Sequence, residues 1–245
     1  MNERATWDQE WRHPIEAFVA KELSQADSGH GIEHVRRVVQ NALGLAVGTE
    51  ARLQVLLPAA WLHDCVVVAK NSPQRKMASR LAAQRAVEFL TEVGYPHEWL
   101  PAIQHCIAAH SFSAQIPCET LEARLLQDAD RLEALGAIGL ARCLMTGGAM
   151  RQRLMDPDEP FPSRRVPDDT RQSMDHFFCK LLGLHGTMQT GSGRREAVRR
   201  TRFLVGFLRE LGVELGVPKE DVERSLESAL AESSDLVYIM GLHGV

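Results

Sequence analysis

His63 and Asp64 stand side by side at the end of the apolar run LLPAAWL, and both are metal-binding side chains. His34 lies upstream in SGHGIEHVRRV, and Asp130 lies downstream in LLQDADRLEALGAIG. Together they read H…HD…D, with imidazole and carboxylate donors on three segments. Such a mixed set suits borderline divalent ions such as Mn, Fe, Co, Ni or Zn. Four donors around a tetrahedral zinc would close the site and make it structural. The same four around a six-coordinate ion leave two positions, enough for a water and a phosphate oxygen. An ion so placed lowers the pKa of the water and neutralises charge developing on phosphorus. The chemistry indicated is hydrolysis of a phosphate ester or anhydride.

Helices must bring these donors together. Ile32, Val35, Val39, Ala42 and Ala46 form one apolar stripe, and Leu53, Leu57, Ala60 and Trp61 form a second that leads to Asp64. Leu81, Ala82, Ala86, Phe89 and Leu90 form a third, and Ile103, Ile107 and His110 lie along a fourth. Leu121, Leu125, Leu132 and Leu135 predict a fifth helix through Asp130. Phe177, Phe178, Leu181 and Leu182, then Val198, Leu204, Phe207 and Leu211, predict two more. Pro218 is well placed to start a short terminal helix reaching Ala231. No sustained alternating pattern and no fixed-period repeat occurs, so the expected fold is all-α.

The breakers set the geometry. Successive helical side chains are about 100° apart. His63 and Asp64 therefore share one ion only if the helix ends or bends there, or if the ion sits astride both directions. Asn71-Ser72-Pro73 interrupts the chain soon afterwards, and Asp27-Ser28-Gly29 offers capping oxygens before the first histidine helix. His30 and His34 are one turn apart on one face. The longest irregular stretch, residues 147–169, contains Gly147, Gly148, Pro157, Pro160, Pro162 and Pro167. It also carries Arg151, Arg153, Arg164 and Arg165, and reads either as a lid over an anionic ligand or as a mobile surface loop.

A length of 245 residues, 44% hydrophobic and 24% charged, describes an ordinary globular protein with a sizeable core. The net charge of -4 gives no support to a nucleic-acid-coating role, and the arginine cluster from Gly193 to Arg202 reads as a solvated helix face. The N-terminal residues contain no apolar signal region, and no run approaches the roughly 18 apolar residues of a membrane span. Cys65, Cys106, Cys118, Cys143 and Cys179 make no C-x-x-C pair and fit reduced thiols, so a cytoplasmic location is expected. Cys65 reads as a small buried hydrophobe rather than a nucleophile.

The segments HGIEHVRRV, AAWLHD, IAAHS and LLQDADRLEALGAIG, in this order and at these intervals, resemble the HD-domain phosphohydrolase superfamily. KNSPQRKMASRLAA and DHFFCKLLGL…MQTGSGRREAVRR look closer still to its bacterial single-domain YedJ-like branch. The resemblance implies a single compact multi-helix HD-domain bundle with a metal site between helices. It places that domain at residues 20–215, with a helical lead-in at 1–19 and a C-terminal helical extension at 216–245. It implies that His34, His63, Asp64 and Asp130 hold one divalent ion, drawn from Mn, Fe, Ni, Co, Mg or Zn, with Mn favoured. His34 matches the motif because Val35-Arg36-Arg37-Val38 follows it, which leaves His30 behind the ligands or against the substrate. Asp130, not Asp128, matches the aspartate of the ADRL segment. Some members bind a second ion through histidines between the HD pair and the last aspartate, where His105 and His110 lie. One ion is favoured here, with His110 facing the substrate or a bound water.

Asp64 and Lys70 are the catalytic candidates, and Lys70, Asn71 and Arg75, with Lys76 beside them, form the best anion-binding segment. One departure stands out. Several family members carry an acidic residue shortly after the HD pair, where this chain has Cys65, Val66, Val67 and Val68. Glu33, Asp128 and Glu133 could replace it only by turning inward, and a solvated role is expected for each. The resemblance implies a metal-dependent phosphohydrolase acting on a small phosphorylated compound, with a nucleotide favoured and nucleotidase or nucleotide pyrophosphohydrolase chemistry. The alternatives are a two-ion cyclic-nucleotide phosphodiesterase and a catalytically weak nucleotide-sensing domain. Net acidity argues against a nucleic-acid partner, no membrane partner is expected, and a homodimer is a compatible assembly.

Overall fold

Residues 3–24, 31–68 and 77–241 are described by a computed structural model. Its helices are α1 (Glu3–Trp7), α2 (His13–Glu22), α3 (Ile32–Ala46), α4 (Leu53–Leu62), α5 (Ala78–Glu92) and α6 (Leu100–His110). They continue with α7 (Leu121–Arg131), α8 (Gly136–Ala149), α9 (Gly191–Glu214), α10 (Lys219–Leu230) and α11 (Leu236–Met240). Among the described residues there is no strand, only an isolated bridge between Arg153 and Gln172, so the all-α expectation is met. No helix among them is long and apolar enough to cross a membrane. The chain separates into two compact units, Met1–Asp130 and Arg131–Val245.

In the first unit α4 is the central element. Every residue from Val55 to Leu62 is buried, and α2, α3 and α6 pack around it. Its interior Pro58 has no N–H to give the carbonyl of Gln54, one turn earlier. The hydroxyl of Tyr95 supplies the missing donor at 2.7 Å, and the indole of Trp7 donates in turn to that hydroxyl at 3.0 Å. The proline's cost is thus offset by a side-chain network; an unsatisfied buried carbonyl costs about 1–3 kcal/mol. At the head of α4, buried Glu122 of α7 accepts from the backbone N–H of Arg52 at 2.9 Å and from its guanidinium at 3.0 Å. Burial pushes the Glu122 carboxyl up, but these Arg52 bonds outweigh it and hold it below its ordinary value.

α3 buries His34, Val35, Val38, Val39, Ala42 and Leu45, one stripe of an amphipathic helix. Its cap position is Gly31, with no side-chain capping bond, and the proposed capping residues Asp27, Ser28 and Gly29 lie outside the described residues. The helix expected to continue through Leu132 ends at Arg131 and tightens into a single 3₁₀ turn at Leu132–Ala134.

The second unit contains a helix that periodicity did not reveal. α8 buries only glycines, Gly136, Gly139 and Gly147. A Cβ on Gly147 would lie 1.9 Å from the Ser173 hydroxyl, and one on Gly139 would lie 2.2 Å from the Ala134 carbonyl carbon. Close backbone approach, not large side chains, seats this helix. Thr190 caps the start of α9, its hydroxyl accepting from the Gly193 N–H at 3.0 Å, and α10 follows Pro218 as expected. Phe177, Phe178 and Leu181 form a single wide π-turn rather than the expected longer helix.

The irregular stretch after α8 is tied down by its own side chains. Arg165 grips the fully buried Asp175 carboxylate with two bonds of 2.5 and 2.7 Å, and Phe161 is buried. Arg164 pairs with Asp221 at 3.1 Å. Two of the arginines in this stretch, read either as an anion lid or as a mobile surface loop, are thus engaged by protein carboxylates. The α9 arginines behave similarly: Arg194 meets Asp235 at 2.9 Å, and Arg199 and Arg200 share Glu196. Arg199 first, and Arg200 with it, push the Glu196 carboxyl down to about 2.

Candidate metal centre

α4 stops at Leu62, and the Cys65 N–H closes the following turn on the Leu62 carbonyl at 3.2 Å. His63 and Asp64 occupy that turn, so the adjacent side chains converge because the helix ends under them. His34 enters from the first turn of α3, Asp130 from the last turn of α7, and His110 is the final residue of α6.

The imidazole nitrogens of His34 and His63 each lie within 4.0 Å of a carboxylate oxygen of both Asp64 and Asp130. His34 Nε2 lies 3.3 Å from His63 Nε2, 3.4 Å from Asp130 Oδ1 and 4.0 Å from Asp64 Oδ2. His63 Nε2 lies 3.7 Å from Asp64 Oδ2 and 3.9 Å from Asp130 Oδ1. Metal bonds of about 2.0–2.2 Å place ligand atoms about 3–4 Å apart, which is the spacing found. The chemistry of the set also fits a cation. His63 donates its Nδ1–H to the Ala60 carbonyl at 2.9 Å, so the neutral ring turns a bare Nε2 lone pair inward. That lone pair and two carboxylates face one another. A single proton on His34 can satisfy only one of these acceptors at a time, whereas an ion between them serves all.

The imidazoles form a dry floor, His34 and His63 being buried, while the carboxylates of Asp64 and Asp130 remain 30% and 31% exposed. Access from solvent is therefore on the carboxylate side. Burial lowers the His63 pKa, keeping it the neutral base that a ligand must be. For Asp64, burial acts upward, but the imidazoles of His63 and then His110 outweigh it and hold the carboxyl well below its ordinary value. Burial likewise pushes Asp130 up, and His34 first, then His63, more than offset it.

His110 approaches the other oxygen of Asp64, with Nε2 3.5 Å from Oδ1, and its Nδ1–H donates to the Ile107 carbonyl at 2.7 Å. Burial lowers its pKa, but the Asp64 carboxylate prevails and the net shift is upward. His63, Asp64 and His110 thus form a second triad beside His34, His63 and Asp130.

Other expected residues fall elsewhere. His105 accepts from the Glu119 N–H at 3.2 Å and does not join the cluster. His30, Lys70, Asn71 and Arg75 lie outside the described residues, as does Lys76. Glu33 is exposed and pairs with Arg36 at 2.8 Å. Asp128 and Glu133, expected to be solvated, are buried. Buried Cys65 gives its thiol to the Ala82 carbonyl at 3.5 Å, and burial pushes its pKa up to about 12, so no thiolate nucleophile is offered. Asn41 and Gln127 bond carbonyls next to the donors, a role their sequence context does not signal.

Known proteins resemble this chain in sequence and in fold. The HD domain family matches residues 31–135, a span that includes all four donors and His110. YpgQ of Bacillus subtilis (strain 168) is 32% identical over 216 residues, covering 86% of this chain and 96% of YpgQ. An HD-superfamily hydrolase of Bacillus thuringiensis superposes with a TM-score of 0.66 at 30% identity, covering 86% of this chain and 100% of that one. The crystal structure of Bacillus subtilis YpgQ in complex with ADP gives a TM-score of 0.64 at 29% identity, covering 87% and 97%. An H…HD…D order in sequence, its closure into one cluster at helix ends, and a relative matched along nearly its whole length lead to one assignment: this chain belongs to the HD-domain family.

Proposed function

We propose that this protein is a metal-dependent phosphohydrolase that cleaves a phosphate ester or anhydride of a small molecule, with nucleotides the favoured class. The observation that carries the reading is the close approach of His34 and His63 to both Asp64 and Asp130, whose carboxylates stay open to solvent. That YpgQ was crystallised with ADP supports a nucleotide substrate. Nucleotidase and nucleotide pyrophosphohydrolase chemistry both fit this proposal.

His34, His63, Asp64 and Asp130 would hold one divalent ion, with Mn favoured. Such an ion lowers the pKa of a water and polarises a phosphoryl oxygen. The remaining work belongs to the chain. Asp64 reaches toward both imidazole groups at once, through Oδ2 to His34 and His63 and through Oδ1 to His110. His110 steadies that carboxylate and faces the substrate or a bound water. Lys70, Asn71 and Arg75 follow the HD pair closely and would add fixed cations and an amide for phosphate oxygens, with Lys70 ordering the leaving phosphate. His30 would stand behind the ligands or touch substrate.

A second reading, a two-ion diesterase, draws on the triad of His63, Asp64 and His110. The site of His105, bonded to the Glu119 backbone, gives that reading no further ligand. The test is a panel of nucleoside mono-, di- and triphosphates and cyclic nucleotides, given to protein stripped by chelator and refilled with Mn. Release of phosphate or pyrophosphate, lost again on chelation, is expected. Turnover indifferent to chelation, or none from any member by the refilled protein, would contradict the proposal. Cleavage restricted to cyclic nucleotides would favour the second reading.

A further inference from the structure

Asp130 is delivered by α7, and α7 is tied by a polar bond to each of the three other helices that bring a donor. At its start, Glu122 accepts from the Arg52 N–H at the head of α4 at 2.9 Å. Further along, buried Gln127 donates from Nε2 to the Ala109 carbonyl of α6 at 2.9 Å. Near its end, the Ala129 carbonyl accepts from Nδ2 of Asn41 on α3 at 3.2 Å.

The last two bonds sit beside donors. Ala109 precedes His110, and Ala129 precedes Asp130. Asn41 itself lies two turns beyond His34, on the same face of α3. Both acceptors are among the final four carbonyls of their helices, which have no partner within the helix. The Cys118 thiol also reaches the Ala109 carbonyl, at 3.6 Å, but a thiol is a weak donor. Buried Leu125 and Leu126 seat α7 laterally, yet apolar contact is non-directional and tolerates axial sliding. A hydrogen bond weakens steeply with misalignment, so it can fix the register.

We infer that Asn41 and Gln127 are positioning residues: they set α7 against α3 and α6 so that the Asp130 and His110 side chains meet those of His34, His63 and Asp64. The inference rests on the metal-centre reading above. The Glu122–Arg52 tie lies eight residues before Asp130, about 12 Å along the helix, and serves stability rather than donor geometry.

The test uses the full chain, stripped by chelator. Mn²⁺ is titrated for affinity, Co²⁺ for its visible absorption, and the melting temperature of each metal-free variant is recorded in parallel. Asn41→Leu and Gln127→Met remove the donors while keeping bulk. They are expected to weaken Mn²⁺ binding about 10–100-fold, the usual scale for outer partners of metal ligands, and to change the Co²⁺ spectrum. Glu122→Gln is expected to lower the melting temperature with Mn²⁺ affinity unchanged. Should the bulkier variants not fold, Asn41→Ala and Gln127→Ala carry the same comparison. Wild-type affinity and spectrum in both donor-lacking variants would overturn the inference and leave the metal centre standing. Affinity that merely tracks melting temperature across all variants would also overturn it. No ion uptake by the unaltered protein would overturn the inference and the metal centre together.

Discussion

Asp64→Asn is expected to remove nucleotide turnover almost completely while the far-ultraviolet circular dichroism stays that of the wild type. The substitution keeps the shape of the side chain and removes its charge. Asp64 Oδ2 lies 4.0 and 3.7 Å from the Nε2 atoms of His34 and His63, and Oδ1 lies 3.5 Å from that of His110. Among the described residues, no other carboxylate lies within 4.0 Å of all three imidazoles. An amide turned with its NH₂ inward would present a donor where an acceptor is required. Losing one electrostatic stabiliser of a transition state costs about 10²–10³ in rate, and a weakened ion adds to that. The fold should tolerate the change, because the side chain is 30% exposed and sits in a turn rather than within a helix. Steady-state rates with saturating Mn decide the point, and a variant within a few-fold of the wild type would contradict the proposed role.

Arg165→Ala is expected to produce a large loss of stability, and Arg164→Ala, one residue away, very little. The Asp175 side chain is 0% exposed and takes two bonds from the Arg165 guanidinium plus one of 2.6 Å from the Asp168 N–H. Arg165 also donates to the Glu159 carbonyl at 2.9 Å. Removing the guanidinium leaves a buried carboxylate with one backbone donor, and breaking a buried pair in this way costs about 3–5 kcal/mol. Arg164 is 73% exposed in its pair with Asp221, and an exposed pair contributes about 0–1 kcal/mol. Whole-protein stabilities are about 5–15 kcal/mol, so urea unfolding resolves the two variants readily. Equal midpoints would show that the loop is not held by the Arg165–Asp175 pair.

The donors were legible because their local context is unusual. A histidine and an aspartate directly after LLPAAWL can share an ion if the helix ends, if it bends, or if the ion sits astride both directions, and the helix ends at Leu62. The stripe from Ile32 to Ala46 coincides with α3 because a half-buried helix shows its period in apolar residues. α8 escaped the same logic because its contact face is glycine, which carries no apolar signal. Glycine at the Ser173 and Ala134 approaches reflects closeness to partners distant in sequence or outside the helix. Asp128 and Glu133 misled in the opposite way: charge suggests solvent, and only tertiary packing buries them. His105 and His110 share a helix, but five residues turn a helix about 140° past a full revolution, so only one can face the cluster. The ties from Asn41 and Gln127 end on backbone carbonyls, which no side-chain pattern can announce.

The central claim is that His34, His63, Asp64 and Asp130 enclose one divalent ion. Elemental analysis of protein purified without added metal, and again after chelation and incubation with Mn, tests it most directly. One ion per chain, removed by chelator and restored by Mn, is the predicted result; no bound ion under either condition would contradict the account.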